Sequence, residues 1–427
     1  MKKSSFLLSA CLVLAVVLSA SSCSRSSARA SAAADLRNTS TLRLSPAESF
    51  QTLRVSGPVR VVYTPTSRKP NVTADVAPEF QDRVHVDVRD GVLTVRADCR
   101  RRGKSSSSEP LAVVRVSGPD LERADLSALA CVELTGAMAS RQLTLRLSSA
   151  AMLTMKDYRG DALDVELGSS SRLETGTLRV GAAKVALTQA AVWRVGGDMD
   201  ASRFDLSSST ASRLTVNGRL TSVTTRLRLA QASVVEVNGR LDGGVLSLEL
   251  MQSSRMGGGR LTCRTLSADL AQSSRLSFAE TEAGTASVRV SSSAHADLAR
   301  FSAKQFSGEV SARGRISATS FAADEAEVKA SSTGRVQLPG CKVSALRVTA
   351  SSGSRVELDG KCHGDARLES SSGARIRAGG LACRNVEAEA SSGSHISCRA
   401  SERLRQHYGS GARIECSGRP REVQTVS

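Results

Sequence analysis

Aromatic residues make up only 3% of the 427 positions, and Trp193 is the single tryptophan. The bulky anchors of an ordinary globular core are therefore scarce, and so are the ring platforms on which sugar-processing enzymes seat their substrates. No C-x-x-C pair occurs, which removes the usual thiolate spacing for zinc. The run Gly257 to Gly259 has no Lys-Ser/Thr after it and no helical pattern, so it is not a phosphate loop. Acidic residues are dispersed, as at Glu166, Glu174, Asp269 and Asp297, without the convergence a carboxylate-driven hydrolase needs. Apolar residues nevertheless reach 40%, too many for a disordered chain. Small aliphatic side chains used many times over suit a thin, layered core.

The first residues read as an export signal: Lys2 and Lys3, an apolar stretch from Phe6 to Leu18, then "SASSC" ending at Cys23. That apolar stretch is too short to span a bilayer. Small residues before a cysteine resemble the lipobox of bacterial lipoproteins, which makes Cys23 the expected lipidated residue after removal of residues 1–22. "LSAC" at Leu8 to Cys11 fits the lipobox letters but leaves only three or four apolar residues ahead of it. Simple secretion with cleavage near Ser22 is the alternative. Residues 23–40 then form a flexible tether. Removing Lys2 and Lys3 lowers the formal charge from +17 to +15. A basic protein with a pI near 10.0 is drawn to anionic surfaces. For an exported chain these are lipid headgroups, lipopolysaccharide or acidic glycans, rather than nucleic acid.

One phrase is rewritten along the chain: "ASSTGRVQLPG", then "ASSGSRVELDG", then "SSSGARIRAGG". The residue before each short apolar strand runs Cys131, Met152, Arg172, Val192, Arg213, Val234, Arg255, Arg275, His295, Arg315, Arg335, Arg355, Arg375, His395, Arg413. Its steps are 20 or 21 residues until a last step of 18. Such a period marks a solenoid. Apolar residues within each unit recur at every second position, as in Leu143, Leu145, Leu147 and in Val356, Leu358, which is the sign of strands with one buried face. The Ser-Ser-Gly at Ser351 to Gly353 supplies a corner, where glycine permits positive φ and in-register hydroxyls bond from coil to coil. A leucine-rich horseshoe of similar period needs a helix or an asparagine ladder in each unit, and neither is present. The expected fold is all-β, a parallel β-helix of about 20 residues per coil. With one coil per strand spacing of about 4.8 Å, fifteen coils make a rod on the order of 70 Å long. A narrow lumen suits Val, Leu, Ile and Ala, and rings are expected to force coils apart.

Ahead of the regular repeats stand "FQTLRVSGPVRVVYTP" (Phe50 to Pro65) and "VHVDVRDGVLTVRAD" (Val84 to Asp98). This opening, leading into Ser/Gly-cornered repeats behind a lipoprotein-like signal, resembles the putative auto-transporter adhesin, head GIN domain family, from Phe50 to about Gly418. The resemblance implies an exported envelope protein with a parallel β-helix and no established enzymatic activity. It divides the chain into an N-terminal β region at 41–125, solenoid repeats at 126–418 and a tail at 419–427. An autotransporter also carries a C-terminal barrel with outward apolar faces and aromatic girdles. "SGRPREVQTVS" shows no such pattern, so lipid anchoring is expected in its place.

Stacking in register lines up Arg255, Arg275, His295, Arg315, Arg335, Arg355, Arg375 and His395 as a basic stripe. Guanidinium forks suit sulfate, phosphate or carboxylate; the plainer reading is a solubilising outward position whose stems cover apolar neighbours. The loop "CRRRGKSSSSEP" (Cys99 to Pro110) is a second basic element. Cys398 and Cys416 fall in one inward column at disulfide distance, and Cys341, Cys362 and Cys383 recur near another corner; buried small residues are the alternative reading. No catalytic residue, metal or cofactor is assigned. The expected role is a non-enzymatic envelope lipoprotein of a Gram-negative outer membrane, on its periplasmic or surface side. Its rod contacts anionic polysaccharide or lipopolysaccharide. A purely structural spacer and a β-helical polysaccharide lyase or hydrolase are the alternatives.

Overall fold

The structure is a computed structural model describing residues 40–44, 49–76, 78–98 and 110–426. The signal, Cys23, most of the tether and the basic stretch 99–109 lie outside the described residues. The chain winds as a β-solenoid of about 15 turns with roughly 20 residues per coil.

One coil shows how the sequence makes the shape. Arg172–Thr175 is a short strand with Leu173 and Thr175 inward. After Gly176 and Thr177 the chain enters Leu178–Leu187, where Leu178 and Val180 point inward. Gly181 and Ala182 then both face out before Ala183, Val185 and Leu187 resume the inward alternation. Two successive outward residues mark a bend, because strand side chains otherwise alternate. One ten-residue strand thus covers two faces, and the coil is three-sided. Equivalent strands pair in parallel, Leu178 with Met199 and Leu187 with Ser208. In later coils the faces merge into unbroken stretches such as Arg355–Ser370.

The corner before each marker residue from Cys131 to His395 carries two successive residues of positive φ. In three coils glycine takes one of the pair, as at Gly353 (φ 68), and before Arg413 it is Gly411 that has positive φ (φ 69). Elsewhere Ser, Ala, Gln and Thr adopt the left-handed conformation, as at Ser169 (φ 49) with Ser170 (φ 61). That costs an L-residue roughly 1–2 kcal/mol. Stacking offsets it: Ala150 N donates to Ser169 O at 2.8 Å, Ser170 N to Gln189 O at 2.8 Å, and the pattern continues coil by coil. The serine that fastens the corner is the buried one just before the marker. Ser354 Oγ donates to Ala330 O at 2.9 Å and Ser394 Oγ to Ser370 O at 2.8 Å.

The lumen is lined with Leu, Val and Ala, but rings are inside it. Trp193, Phe204, Phe278 and Phe321 are fully buried. Phe301 lies flat on Phe321 one coil on, at 5.4 Å and 7°, and Phe306 meets both edge-on. The expectation that rings force coils apart fails because small neighbours make room. Gly258 is the register partner of Phe278, and a Cβ there would lie 3.1 Å from the ring.

The region 41–125 is continuous with the solenoid. Thr52–Ser56 pairs in parallel with Arg123–Ser127, and Val59–Pro65 with Cys131–Leu134. Antiparallel strands overlie this end: Ser40–Leu44 on Asn71–Val76, the latter on Ala112–Gly118, and Val84–Arg89 on Val92–Ala97. At the other end the stretch read as a tail adds a strand, Glu422–Val426, paired in parallel with Ala400–Tyr408.

Candidate functional site

The marker column stacks in direct register. Val234 pairs with Arg255, Arg255 with Arg275, Arg275 with His295 and His295 with Arg315. Arg315 pairs with Arg335, Arg335 with Arg355, Arg355 with Arg375, and Arg375 with His395. Each projects outward from the first face, next to the positive-φ corner. A second outward column lies two residues along, and its charges divide the stripe.

Arg275 Nε and Nη2 donate to Asp297 Oδ2 at 2.9 and 2.5 Å, and Ser317 Oγ donates to Asp297 Oδ1 at 2.6 Å. Burial alone raises the Asp297 carboxyl, but the hydrogen bonds from Ser317 and Arg275, with the charges of Arg275 and His295, hold it below the usual value. Arg315 Nη2 donates to the Gln337 side-chain oxygen, and His395 Nε2 lies 3.5 Å from Glu415. Glu357 faces the stripe but is already engaged, accepting from Gln337 at 2.9 Å and Arg377 at 3.2 Å. Arg255, Arg335, Arg355 and Arg375 are exposed and have no ion pair among the described residues. Within the eight-residue stripe Arg275 is closed by Asp297, Arg315 is tied to the neutral Gln337 amide, and Arg335, Arg355 and Arg375 form a run of three free guanidiniums on adjacent coils.

Elsewhere on the rod, many cations meet an acid one coil away. Arg146 pairs with Glu166 at 3.0 Å, Arg228 with Glu249 at 3.1 Å and Arg289 with Glu309 at 3.5 Å. Arg367 reaches Glu369, Glu387 and Glu389 at 2.5, 3.5 and 3.1 Å. The Arg367–Glu387 pair lines a shallow groove of about 950 Å³ that follows the bend between the second and third faces, from Thr285 to Gln424. Its walls mix Glu325, Glu327, Asp365 and Glu387 with Arg347, Arg367, Arg403 and Arg405. Sequence reading missed it. Its signal is an acid about one coil away from each arginine, as Glu387 is from Arg367 and Glu422 from Arg403, visible only once the coil length is known.

Cys263, Cys341, Cys362, Cys383 and Cys398 are buried, and Cys416 is half-buried. Cys398 and Cys416 are register partners, as are Cys362 and Cys383, and these four are thiols in the structure. Burial pushes Cys341 and Cys398 up to about 12 and Cys263 to about 11. Cys362 is lowered, chiefly by its hydrogen bond with Cys383. Among the described residues no group of three His, Cys, Asp or Glu side chains converges to hold a metal ion. No helix among them is long and apolar enough to cross a membrane, which says nothing of strands.

The family described as putative auto-transporter adhesin, head GIN domain, matches residues 49–219, 213–340 and 314–420. The chain belongs to this head GIN domain family. Three solved structures are similar to this head GIN protein at low identity. A putative adhesin from Parabacteroides merdae is 12% identical, covers 92% of this chain and 98% of its own, and has a TM-score of 0.26. A putative lipid binding protein from Parabacteroides distasonis is 10% identical with the same coverages and a TM-score of 0.23. A putative adhesin from Bacteroides fragilis is 11% identical, covers 72% and 94%, and has a TM-score of 0.24. No curated protein matches the chain. The family's description as an adhesin suggests an extracellular or envelope protein.

Proposed function

We propose that the solenoid is a non-enzymatic binding rod of the bacterial envelope, and that Arg335, Arg355 and Arg375 hold an anionic polysaccharide along its axis. The observation carrying this reading is the free run itself, on a surface where so many cations have a carboxylate partner. Adjacent guanidiniums about one strand spacing apart repel by about 1 kcal/mol in water, so an anion on this edge relieves a built-in strain. Three donors over roughly 10 Å match an extended polymer better than a single small anion, and each fork can take two oxygens of a sulfate or carboxylate. Lipid at Cys23 would anchor the rod to the outer membrane, and 23–40 would set its reach. Lipopolysaccharide offers the same ligand chemistry on the membrane itself.

The test is binding of immobilised rod to heparin, with uncharged dextran and lipopolysaccharide as parallel arms. Binding to heparin that weakens with added salt, and is lost when all three arginines become serine, supports the reading. Binding to lipopolysaccharide alone would move the ligand to the envelope surface. No binding to any arm leaves a spacer, and depolymerisation of a polysaccharide overturns the non-enzymatic role.

A further inference from the structure

Five of the seven described cysteines fall within the last coils, at 341, 362, 383, 398 and 416. These coils break the 20-residue period. Pairing slips between Leu338 and Cys341, between Cys362 and Asp365, and between Cys383 and Asn385. Cys398 and Cys416 are 18 residues apart yet directly opposed.

We propose that Cys398 and Cys416 form a disulfide that locks the terminal coil, while Cys362 and Cys383 remain thiols. Both pairs are register neighbours, so spacing alone does not separate them. Equivalent Cβ atoms on stacked parallel strands sit about 4.8 Å apart, just beyond the roughly 3.5–4.5 Å that a disulfide accepts. Closure therefore requires one coil to move. Among the described residues, Arg413–Cys416 pairs on one side only, with His395–Cys398, and is free to make that small shift. Cys362 and Cys383 have paired coils on both sides, to Val343 and to Ala400, and are held apart. Access divides them too. Cys416 is half-buried, whereas Cys362 and Cys383 are 3% and 4% exposed.

The chemistry needs a small or protein disulfide as oxidant. The Cys416 thiolate attacks one sulfur of that disulfide and expels a thiolate. Cys398 then loses its proton and attacks the Cys416 sulfur, expelling the second thiol. Two protons and two electrons pass from the pair to the oxidant, which leaves as two thiols. Burial of Cys398 makes the second step the slower one, and raising the pH speeds it.

The test equilibrates the folded protein with oxidised glutathione, alkylates it in denaturant and maps tryptic peptides without reduction. The expected result is peptide 385–399, bearing Cys398, linked to peptide 414–421, bearing Cys416. Peptides bearing Cys341, Cys362 and Cys383 should be alkylated. Amide exchange in 400–426 should slow on oxidation, and Cys416→Ser should abolish that slowing while leaving exchange in coils 255–330 unchanged. Full alkylation of Cys398 and Cys416 under excess oxidised glutathione, or a link through Cys362 or Cys383, overturns the proposal.

Discussion

Arg355 and Arg375 occupy the same outward position on successive coils and pair directly in register, and neither has an ion pair among the described residues. In the same column, Arg275 is closed by Asp297 two residues along on the next coil. Column position is thus shared while chemistry differs, and the difference is set by the neighbouring column: Asp297 opposite Arg275, an occupied Glu357 opposite Arg335 and Arg355.

The Arg275–Asp297–Ser317 cluster makes stability depend on pH. The Asp297 carboxyl is held below its usual value in the folded state. Its contribution is therefore present above the unfolded aspartate pKa, about 3.9, and is lost as pH falls through the depressed folded value. Melting curves of the native chain and Asp297→Asn should differ at neutral pH and converge in acid. A constant difference down to pH 2 would contradict this.

Ser354 and Ser352 stand two residues apart with opposite roles. Ser354 Oγ donates to Ala330 O at 2.9 Å and accepts from Ser351 N at 3.1 Å, so Ser354→Ala should cost about 1–2 kcal/mol in urea unfolding. Ala374 fills the equivalent place in the next coil, which favours the low end. Ser352 has φ 50, so Ser352→Gly should be neutral or slightly stabilising, and Ser352→Val should destabilise more than either. Equal effects at both positions would refute the division of labour.

Trp193 reports the lumen. It is fully buried on a strand paired to both neighbouring coils, and its Nε1 donates to Thr175 Oγ1 at 3.2 Å. Trp193→Ala should cost about 3–5 kcal/mol by leaving a cavity between two coils. Trp193→Phe should recover much of that, with only the hydrogen bond lost. As the single tryptophan, Trp193 should show blue-shifted fluorescence that moves red on unfolding, and a red-shifted native spectrum would place it outside the core.

The coil was legible because the marker residues recur every 20 or 21 positions from Cys131 to His395, and that step became the observed register. Three things were not legible. The bend at Gly181 and Ala182 turns one apparent strand into two faces, and only two adjacent outward residues betray it. Corners such as Gln189 with Ala190 take positive φ without glycine, because hydrogen bonds between coils, not residue preference, hold them there. The partition of the arginine stripe depends on side chains 22 residues apart, Arg275 to Asp297 and Arg315 to Gln337, which touch only after winding. Arg335, Arg355 and Arg375 could be picked out as free only after those pairs were known.

The most direct measurement is the dissociation constant for heparin across a salt series. It compares the native rod, the Arg335/Arg355/Arg375→Ser variant and a control carrying Arg146→Ser and Arg228→Ser, whose guanidiniums are paired on another face. The account predicts strong salt dependence for the native rod and the control, and at least a tenfold loss of affinity for the triple variant with its melting temperature preserved. Equal affinity in all three would contradict it.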